Sequence, residues 1–315
     1  MKKPLIILTG PTAVGKTSLS IALAKAVNGE IISADSMQVY RHMDIGSAKI
    51  RPEEMHGVPH HLVDCLEPDE EFNVVRFQQM AKEAMEGIYA RGRIPVLVGG
   101  TGFYIQAVTG DIDFTVHGED TTYRRMLEEK AKTEGAQVLH EMLAAVDSAS
   151  AEAIHANNVK RVIRALEYYQ QTGKPISQHN EEQRQKESPY NLAYFVLNDD
   201  RSRLYERIDA RIDQMLDEGL IDEVKALKEM GYHKGMVSMQ GLGYKEILSY
   251  LDGTWSLEEA VYVLKRDTRH FAKRQITWFK RERQVEWFDK QEFGYDSQAI
   301  LDAMLASLRE KKIIE

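Results

Sequence analysis

A phosphate-binding loop of the pattern G-x-x-x-x-G-K-T occupies residues 10–17 of this chain. Its members are Gly10, Pro11, Thr12, Ala13, Val14, Gly15, Lys16 and Thr17. The glycines let the backbone curl tightly, so that several N–H groups point at one anion. Lys16 adds a positive charge, and the hydroxyl of Thr17 can coordinate Mg²⁺. We therefore predict that this loop binds a diphosphate or a triphosphate.

Two further polar side chains stand where apolar runs end. Asp35 follows the run that begins at Glu30, and Thr101 lies among the glycines of Gly99–Gly102. Asp35 can be a Mg²⁺ ligand, a general base for an acceptor beside the phosphates, or a cap of the turn at Ser36. The glycines around Thr101 permit close approach of a ligand to a hydroxyl. A tight turn would explain these glycines but not the hydroxyl among them.

Cations recur at helical spacing in the second half of the chain. Arg203, Arg207 and Arg211 follow one another at intervals of four residues. They form either a solvated face paired with Asp209 or Glu206, or a set of cations that serves a site. The residues alone leave both readings open.

A basic helix is predicted between Lys265 and Arg283, a segment that contains eight Lys and Arg residues and only two acidic residues. We expect a positive face opposite an apolar face that contains Phe271 and Trp278. The residues expected on the positive face are Arg266, Arg269, Lys273 and Lys280. Such a face is typical of proteins that bind a nucleic-acid backbone. The alternative is a solvated face that balances the acidic remainder of the chain.

The composition narrows the class of protein. The chain has 315 residues, 43% of them hydrophobic, and a formal net charge of −8. The single cysteine, Cys65, excludes a disulfide framework and a cysteine-rich zinc site. We find neither a signal peptide at the start nor an apolar run long enough for a membrane span, so we expect a cytoplasmic protein without membrane contact.

Short apolar runs that alternate with helical segments predict an α/β fold with a parallel sheet. The predicted strands are Leu5–Thr9, Glu30–Ala34, His61–Asp64, Ile94–Val98 and Leu192–Leu197. In such sheets ligands bind at the carboxyl ends of the strands, where the loop, Asp35 and Thr101 would meet. After Asp199 we expect mostly helix.

Between residues 113 and 189 the strand-like runs stop and charged helical sequence takes over, which predicts an all-helical insertion in this α/β core. The core would then comprise residues 1–112 and 190–315. One helix is expected from Ser148 or Ser150 to Thr172, with Lys160, Arg161 and Arg164 clustered in about one turn.

Taken together, the motifs resemble those of one family, the tRNA dimethylallyltransferases, or tRNA isopentenyltransferases. The matching blocks, in the family's order, are Gly10–Thr17, Asp35–Tyr40, Gly46–Lys49, Gly99–Tyr104, Arg161–Glu167 and Ala272–Trp278. The segment Gln240–Tyr244 keeps only the Gly-Tyr core of the family pattern. Because no cysteines follow the basic helix, the chain resembles the bacterial form, which lacks a zinc finger. The resemblance implies a core like that of P-loop nucleoside triphosphatases.

The resemblance also implies a reaction. A dimethylallyl group would pass from dimethylallyl diphosphate to N6 of the tRNA adenosine immediately 3′ of the anticodon (adenosine-37). N6-isopentenyladenosine and diphosphate would be the products. Asp35 would remove the N6 proton. The loop, Thr101, Arg211 and a Mg²⁺ ion at Thr17 would stabilise the departing diphosphate.

The resemblance further implies that the chain binds tRNA as a monomer and that the insertion contacts the anticodon stem-loop. The residues implied in tRNA binding are Asp35, Ser36, Met37, Gln38, Thr101, Arg124, Lys160, Arg161, Arg164, Arg269, Lys273, Arg274, Gln275, Trp278 and Lys280.

Two other functions are compatible with the loop. An adenylate isopentenyltransferase would use free AMP, ADP or ATP as the acceptor, and a P-loop small-molecule kinase would turn over ATP. The helical insertion and the basic helix favour the larger acceptor, because neither alternative needs such surfaces.

Overall fold

The computed structural model describes residues 2–114 and 122–315. Their strands are β1 (Lys3–Thr9), β2 (Gly29–Ala34), β3 (His60–His61), β4 (Ile94–Gly99), β5 (Tyr190–Asn198) and β6 (Val285–Asp289). They form one parallel sheet in the order β3-β2-β4-β1-β5-β6. The predicted parallel α/β fold is therefore confirmed.

The first compact unit comprises Met1–Thr109 and Ser188–Glu315 and contains the whole sheet. Its helices are α1 (Lys16–Ala26), α2 (Val74–Ala90), α3 (Gly102–Thr109), and, in the second half, α9 (Arg201–Asp217), α10 (Leu220–Glu229), α11 (Tyr244–Leu251), α12 (Leu257–Phe279) and α13 (Ser297–Glu310). Consecutive residues of β1 are fully buried, which shows that both faces of the sheet are covered. None of the described helices is long and apolar enough to cross a membrane.

Strand β6 was missed by the sequence analysis, which expected mostly helix after Asp199. It pairs with β5 alone and forms one edge of the sheet. As an edge strand it carries the charged Glu286 and the partly exposed Trp287, so it lacks the apolar run that marks the central strands. Its consequence for the site is that a further strand end, at Asp289, reaches the carboxyl edge.

The second compact unit, Gly110–Glu187, is helical in its described part. Its helices are α4 (Thr122–Glu134), α5 (Ala136–Val146), α6 (Ser148–Ala153), α7 (Val159–Thr172) and α8 (Ile176–Gln185). A separate apolar core includes Leu127, Leu143 and Val162. The buried Asp147 accepts hydrogen bonds from the amides and hydroxyls of Ser150 and Ser177, which joins the beginnings of α6 and α8.

The single helix predicted from Ser148 or Ser150 to Thr172 was wrong, because α6 ends at Ala153 and α7 begins at Val159. The Nε2 atom of His140 lies 2.9 Å from the carbonyl oxygens of both Ala151 and Ile154. This contact caps the last turn of α6 from outside the helix, which a reading of one segment does not show.

A buried carboxylate joins the strands at the amino end of the sheet. Glu30 of β2 accepts hydrogen bonds from Arg91 at 2.6 and 2.9 Å and from Arg93 at 3.1 Å, and lies 2.7 Å from His61 of β3. The Arg91 hydrogen bond is the main cause that lowers the pKa of Glu30 to about 2. Glu30 therefore stabilises the fold in its ionised form.

Replacing this carboxylate makes the stability of the fold depend on pH in a defined direction. At neutral pH, Glu30→Gln is expected to lower the free energy of unfolding by about 2 kcal/mol, since charged hydrogen bonds are lost. Because the pKa is lowered on folding, this contribution is full above about pH 4.5 and disappears as the pH falls towards 2. Urea unfolding at several pH values measures it, with the exposed Glu53→Gln as control; a pH-independent difference contradicts the role of ionised Glu30.

Candidate active site

The phosphate-binding loop is held in its curled form by backbone geometry that requires glycine. A Cβ atom on Gly10 would lie 2.3 Å from the carbonyl oxygen of Leu197 in β5. Gly15 has a φ of 99° in the left-handed region and caps the amino end of α1. The loop therefore sits between β1 and the amino end of a helix, where backbone amides favour an anion.

Two cations of this site have no carboxylate partner among the described residues. Lys16 Nζ donates to the carbonyl oxygens of Gly10 at 2.9 Å and Pro11 at 2.8 Å. Burial, and then the Arg211 guanidinium, lower the pKa of Lys16 to about 7, against the opposite effect of Asp35. Arg211 of α9 is half-buried, and burial lowers its pKa. The described residues offer Arg211 no hydrogen bond or ion pair, so an anionic ligand would complete the site.

Asp35 lies directly after β2 and has one engaged and one available oxygen. Its Oδ1 atom accepts the amides of Met37 at 2.8 Å and Gln38 at 3.3 Å, so it caps the turn. Its Oδ2 atom accepts no hydrogen bond from the described residues. The half-buried carboxylate acts to raise the pKa values of Lys16 and Arg211, against the larger lowering by burial. Asp35 therefore caps the turn through Oδ1, whereas Oδ2 is available to accept a proton or to bind a cation.

Thr101 reaches the same edge of the sheet because β2 and β4 approach closely. A Cβ on Gly99 would lie 2.2 Å from the carbonyl oxygen of Ala34. The amide of Thr101 donates to that same oxygen at 3.2 Å. Its hydroxyl makes no hydrogen bond with the described residues, which leaves it free to donate to a ligand.

Gln275 of α12 lies between two loops of the site rather than on an exposed surface. Its Oε1 accepts the amide of Thr12 at 2.9 Å, and its Nε2 donates to the carbonyl of Gly100 at 3.0 Å. A Cβ on Gly100 would lie 2.1 Å from that Nε2. The side chain is buried. Gln275 therefore joins the phosphate loop to the Thr101 loop, and its part in tRNA binding stays a prediction.

The exposed basic face of α12 differs in part from the predicted one. Its members, with two residues just beyond the helix, are Arg266, His270, Lys273, Arg274, Lys280 and Arg281. Arg269 instead binds Asp209 of α9 through Nη1 at 2.6 and 2.8 Å. Lys265 lies one turn earlier in α12, and its Nζ is 2.5 Å from Oδ1 of Asp213 in α9. Arg269 thus fastens α12 to α9, and its expected exposure is corrected.

Trp278 was expected opposite the basic face but lies beside it. It lines a shallow surface pocket with His270, Lys273, Arg274, Thr277 and Arg281. A Cβ on Gly102 would lie 2.2 Å from its indole ring, and the ring meets the exposed Phe103 edge-on at 6.2 Å. Aromatic rings next to cations are a common arrangement in single-stranded nucleic-acid sites.

In the helical unit, Lys160, Arg161 and Arg164 are exposed on the first turns of α7. Arg124 of α4 donates to both carboxylate oxygens of Glu167 in α7, at 2.9 and 2.7 Å. The three α7 cations therefore face solvent, whereas the charge of Arg124 is matched within its own unit.

A carboxylate that holds the turn at residues 44–46 was not found from the sequence. The carboxylate of Glu223 accepts the amides of Asp44, Ile45 and Gly46 and the hydroxyl of Tyr244. A Cβ atom on Gly46 would lie 2.6 Å from Cζ of the Tyr244 ring. The Gly-Tyr core of residues 240–244 was the available signal, since Tyr244 supports Glu223 and packs against Gly46 of the turn at residues 44–46.

A cation could bind beside the loop through Thr17. Its side chain is exposed, and its hydroxyl has no hydrogen bond to the described residues. Among those residues no cluster of three or more His, Cys, Asp and Glu side chains exists. A single hydroxyl fits Mg²⁺, which usually takes its remaining ligands from substrate phosphates and water.

Comparison with known proteins agrees with this geometry. The family model "IPP transferase" matches residues 38–282, and "Isopentenyl transferase" matches residues 3–64. A tRNA dimethylallyltransferase of Lachnoclostridium phytofermentans is 66% identical over 313 residues, 99% of this chain and 100% of that protein.

Solved structures of related proteins show the same fold. The full-length tRNA isopentenylpyrophosphate transferase from Bacillus halodurans has a TM-score of 0.74 and 47% identity, covering 99% of this chain and 98% of that one. A eukaryotic dimethylallyltransferase acting on tRNA has a TM-score of 0.77 and 31% identity, covering 91% and 74%. Together these matches show that the chain belongs to the IPP transferase family, whose members include the tRNA dimethylallyltransferases.

Proposed function

We propose that this chain transfers a dimethylallyl group from dimethylallyl diphosphate to N6 of the tRNA adenosine immediately 3′ of the anticodon (adenosine-37). This proposal rests on two cations, Lys16 and Arg211, that have no carboxylate partner among the described residues. Asp35 acts on the charge of both, and one of its oxygens accepts no hydrogen bond from those residues. The names of the relatives support this assignment.

The acceptor explains why a carboxylate is needed beside the phosphates. The N6 amine of adenine is a poor nucleophile, since its lone pair is delocalised into the ring. As the bond from N6 to the allylic carbon forms, Oδ2 of Asp35 takes the N6 proton. The bond from that carbon to the diphosphate oxygen breaks, and its electron pair leaves with the diphosphate. Hydrogen bonds from Met37 and Gln38 to Oδ1 keep the carboxylate fixed.

The leaving group gains negative charge in this step, so preorganised donors around it lower the barrier. The donors that this chain offers include the loop amides, Lys16, Arg211 and the Thr101 hydroxyl. Thr17 would hold Mg²⁺, which, when bound, neutralises part of the diphosphate charge.

The basic face of α12 and the exposed cations of α7 would bind the tRNA backbone. The adenine must leave its stack to reach a carboxylate at the sheet edge, as in other enzymes that modify bases. Phe103 and Trp278 offer aromatic surface next to this face. We assign the helical unit, Gly110–Glu187, to the anticodon stem-loop.

An acceptor experiment tests the proposal directly. The protein is incubated with dimethylallyl diphosphate and Mg²⁺, together with either unmodified tRNA or AMP, and the mass of each acceptor is measured. We expect tRNA alone to gain one dimethylallyl group. A mass gain on AMP would favour the adenylate isopentenyltransferase alternative. In a parallel incubation with ATP and Mg²⁺, hydrolysis of ATP, together with no prenyl transfer in the first experiment, would favour a kinase or an ATPase.

The role of Asp35 is tested by a substitution that keeps its turn. Asp35→Asn retains an oxygen for the amides of Met37 and Gln38 but cannot accept the proton. We expect single-turnover prenyl transfer to fall by about 10²–10⁴-fold while tRNA affinity changes by a few fold at most. The exposed Asp217→Asn serves as control. Loss of tRNA binding in Asp35→Asn would instead assign Asp35 to recognition.

The basic face is tested by reversing one exposed charge. Lys273→Glu is expected to weaken tRNA binding and to reduce the slope of log K against log salt by about 1. Filter binding over a range of salt concentrations measures both, and diphosphate binding should not change. Lys312→Glu, another exposed lysine, is the matched control. Equal tRNA affinities for the two variants would make the basic face a solvated surface.

A further inference from the structure

Two cations outside the phosphate-loop motif lie against Gly15. The position of a Cβ on Gly15 would be 3.3 Å from Nη2 of Arg207 and 3.6 Å from Nζ of Lys290. Lys290 Nζ also donates to the carbonyl oxygen of Val14 at 3.4 Å. Arg207 comes from α9 and Lys290 from the residue after β6, so two distant segments place positive charge at one point of the loop.

The charge of this pair is only half matched. Oδ2 of Asp199 lies 3.9 Å from both Arg207 and Lys290. The Asp199 side chain is 1% exposed, and its Oδ2 accepts no hydrogen bond from the described residues. A closed structural ion pair would have a nitrogen-to-oxygen distance of about 2.8 Å. Asp199 therefore holds two cations in place without neutralising both.

Neighbouring cations increase the excess of positive charge. Arg211 lies one turn along α9 from Arg207. Burial is the main cause that lowers the pKa values of Lys16, Lys290 and Arg211, and a nearby guanidinium lowers each further, Arg211 that of Lys16 and Arg207 those of Lys290 and Arg211. Gathering like charges in a half-buried place is unfavourable unless an anion joins them. Arg207 makes no hydrogen bond to the described residues, so its five N–H donors are available to bind an anion.

The chemistry of the donor fits this excess. A diphosphate ester carries about three negative charges near neutral pH, most of them on the terminal phosphate, whose second pKa is about 6. The loop amides and Lys16 can surround one phosphate, and a second phosphate needs donors of its own.

We infer that Arg207 and Lys290 bind the terminal phosphate of the donor beside Gly15, and that they hold the same group in the diphosphate product. The inference rests on the proposed function, because it names the residues that complete the donor site. It also assigns Asp199 as the positioning residue for this pair.

The test compares two anions that differ by one phosphate. Binding of inorganic diphosphate to the full chain is measured by isothermal titration, and binding of orthophosphate by competition. For Lys290→Met and for Arg207→Met we expect diphosphate affinity to fall about tenfold and orthophosphate affinity to stay within about twofold. Lys290→Arg should recover most of the diphosphate affinity because it restores the charge. Lys25→Met, at the far end of α1, is the matched control.

Thermal melting of every variant shows whether a loss of diphosphate affinity reflects unfolding. Lys16→Met serves as the reference variant within the phosphate loop. If Lys16→Met loses diphosphate and Lys290→Met keeps it, the inference is overturned while the proposed donor site stands. If Lys16→Met also keeps it, the donor site of the proposed function fails. An equal fall for both anions in Lys290→Met overturns the assignment to the terminal phosphate.

Discussion

One buried amide group organises the site. The Gln275 side chain accepts from the phosphate loop at Thr12 and donates to the Thr101 loop at Gly100, so a change in either loop disturbs the other. The same helix is fastened to α9 by two ion pairs, from Lys265 to Asp213 and from Arg269 to Asp209. Helix α12 therefore holds the phosphate loop and Arg211's helix at fixed positions while its outer face carries the exposed cations.

The distribution of charge lets a chain of net charge −8 present strongly positive surfaces. Cations are gathered on the outer side of α12 and at the carboxyl edge of the sheet, and the acids near them serve as supports. Asp209 and Asp213 orient basic side chains, and Asp199 holds Arg207 and Lys290. Local fields of this kind, and not the net charge, determine how an anion is attracted.

The sequence predicted the features that depend on local patterns. Apolar runs identified the central strands because both faces of these strands are buried, and the strand-end rule brought the phosphate loop, Asp35 and Thr101 to one edge.

Features that depend on pairing between distant segments could not be predicted. Helical spacing placed Arg269 and Lys273 on one face, but the ion pair of Arg269 requires knowledge of where Asp209 lies. Likewise Glu223 and Gln275 act through backbone amides and carbonyls far along the chain, and such partners leave no trace in spacing. Lys290 was missed together with β6, because an edge strand shows no continuous apolar run.

The site is assembled from segments that lie far apart in the sequence. The phosphate loop contacts Gln275 through Thr12 and Lys290 through Val14, across separations of 263 and 276 residues. Contacts of such large sequence separation form slowly, because the intervening chain must first be ordered. During synthesis the loop therefore emerges from the ribosome long before its partners do. A growing chain acquires the fold of the first strands early, but its phosphate site can be finished only after residue 290 has been made.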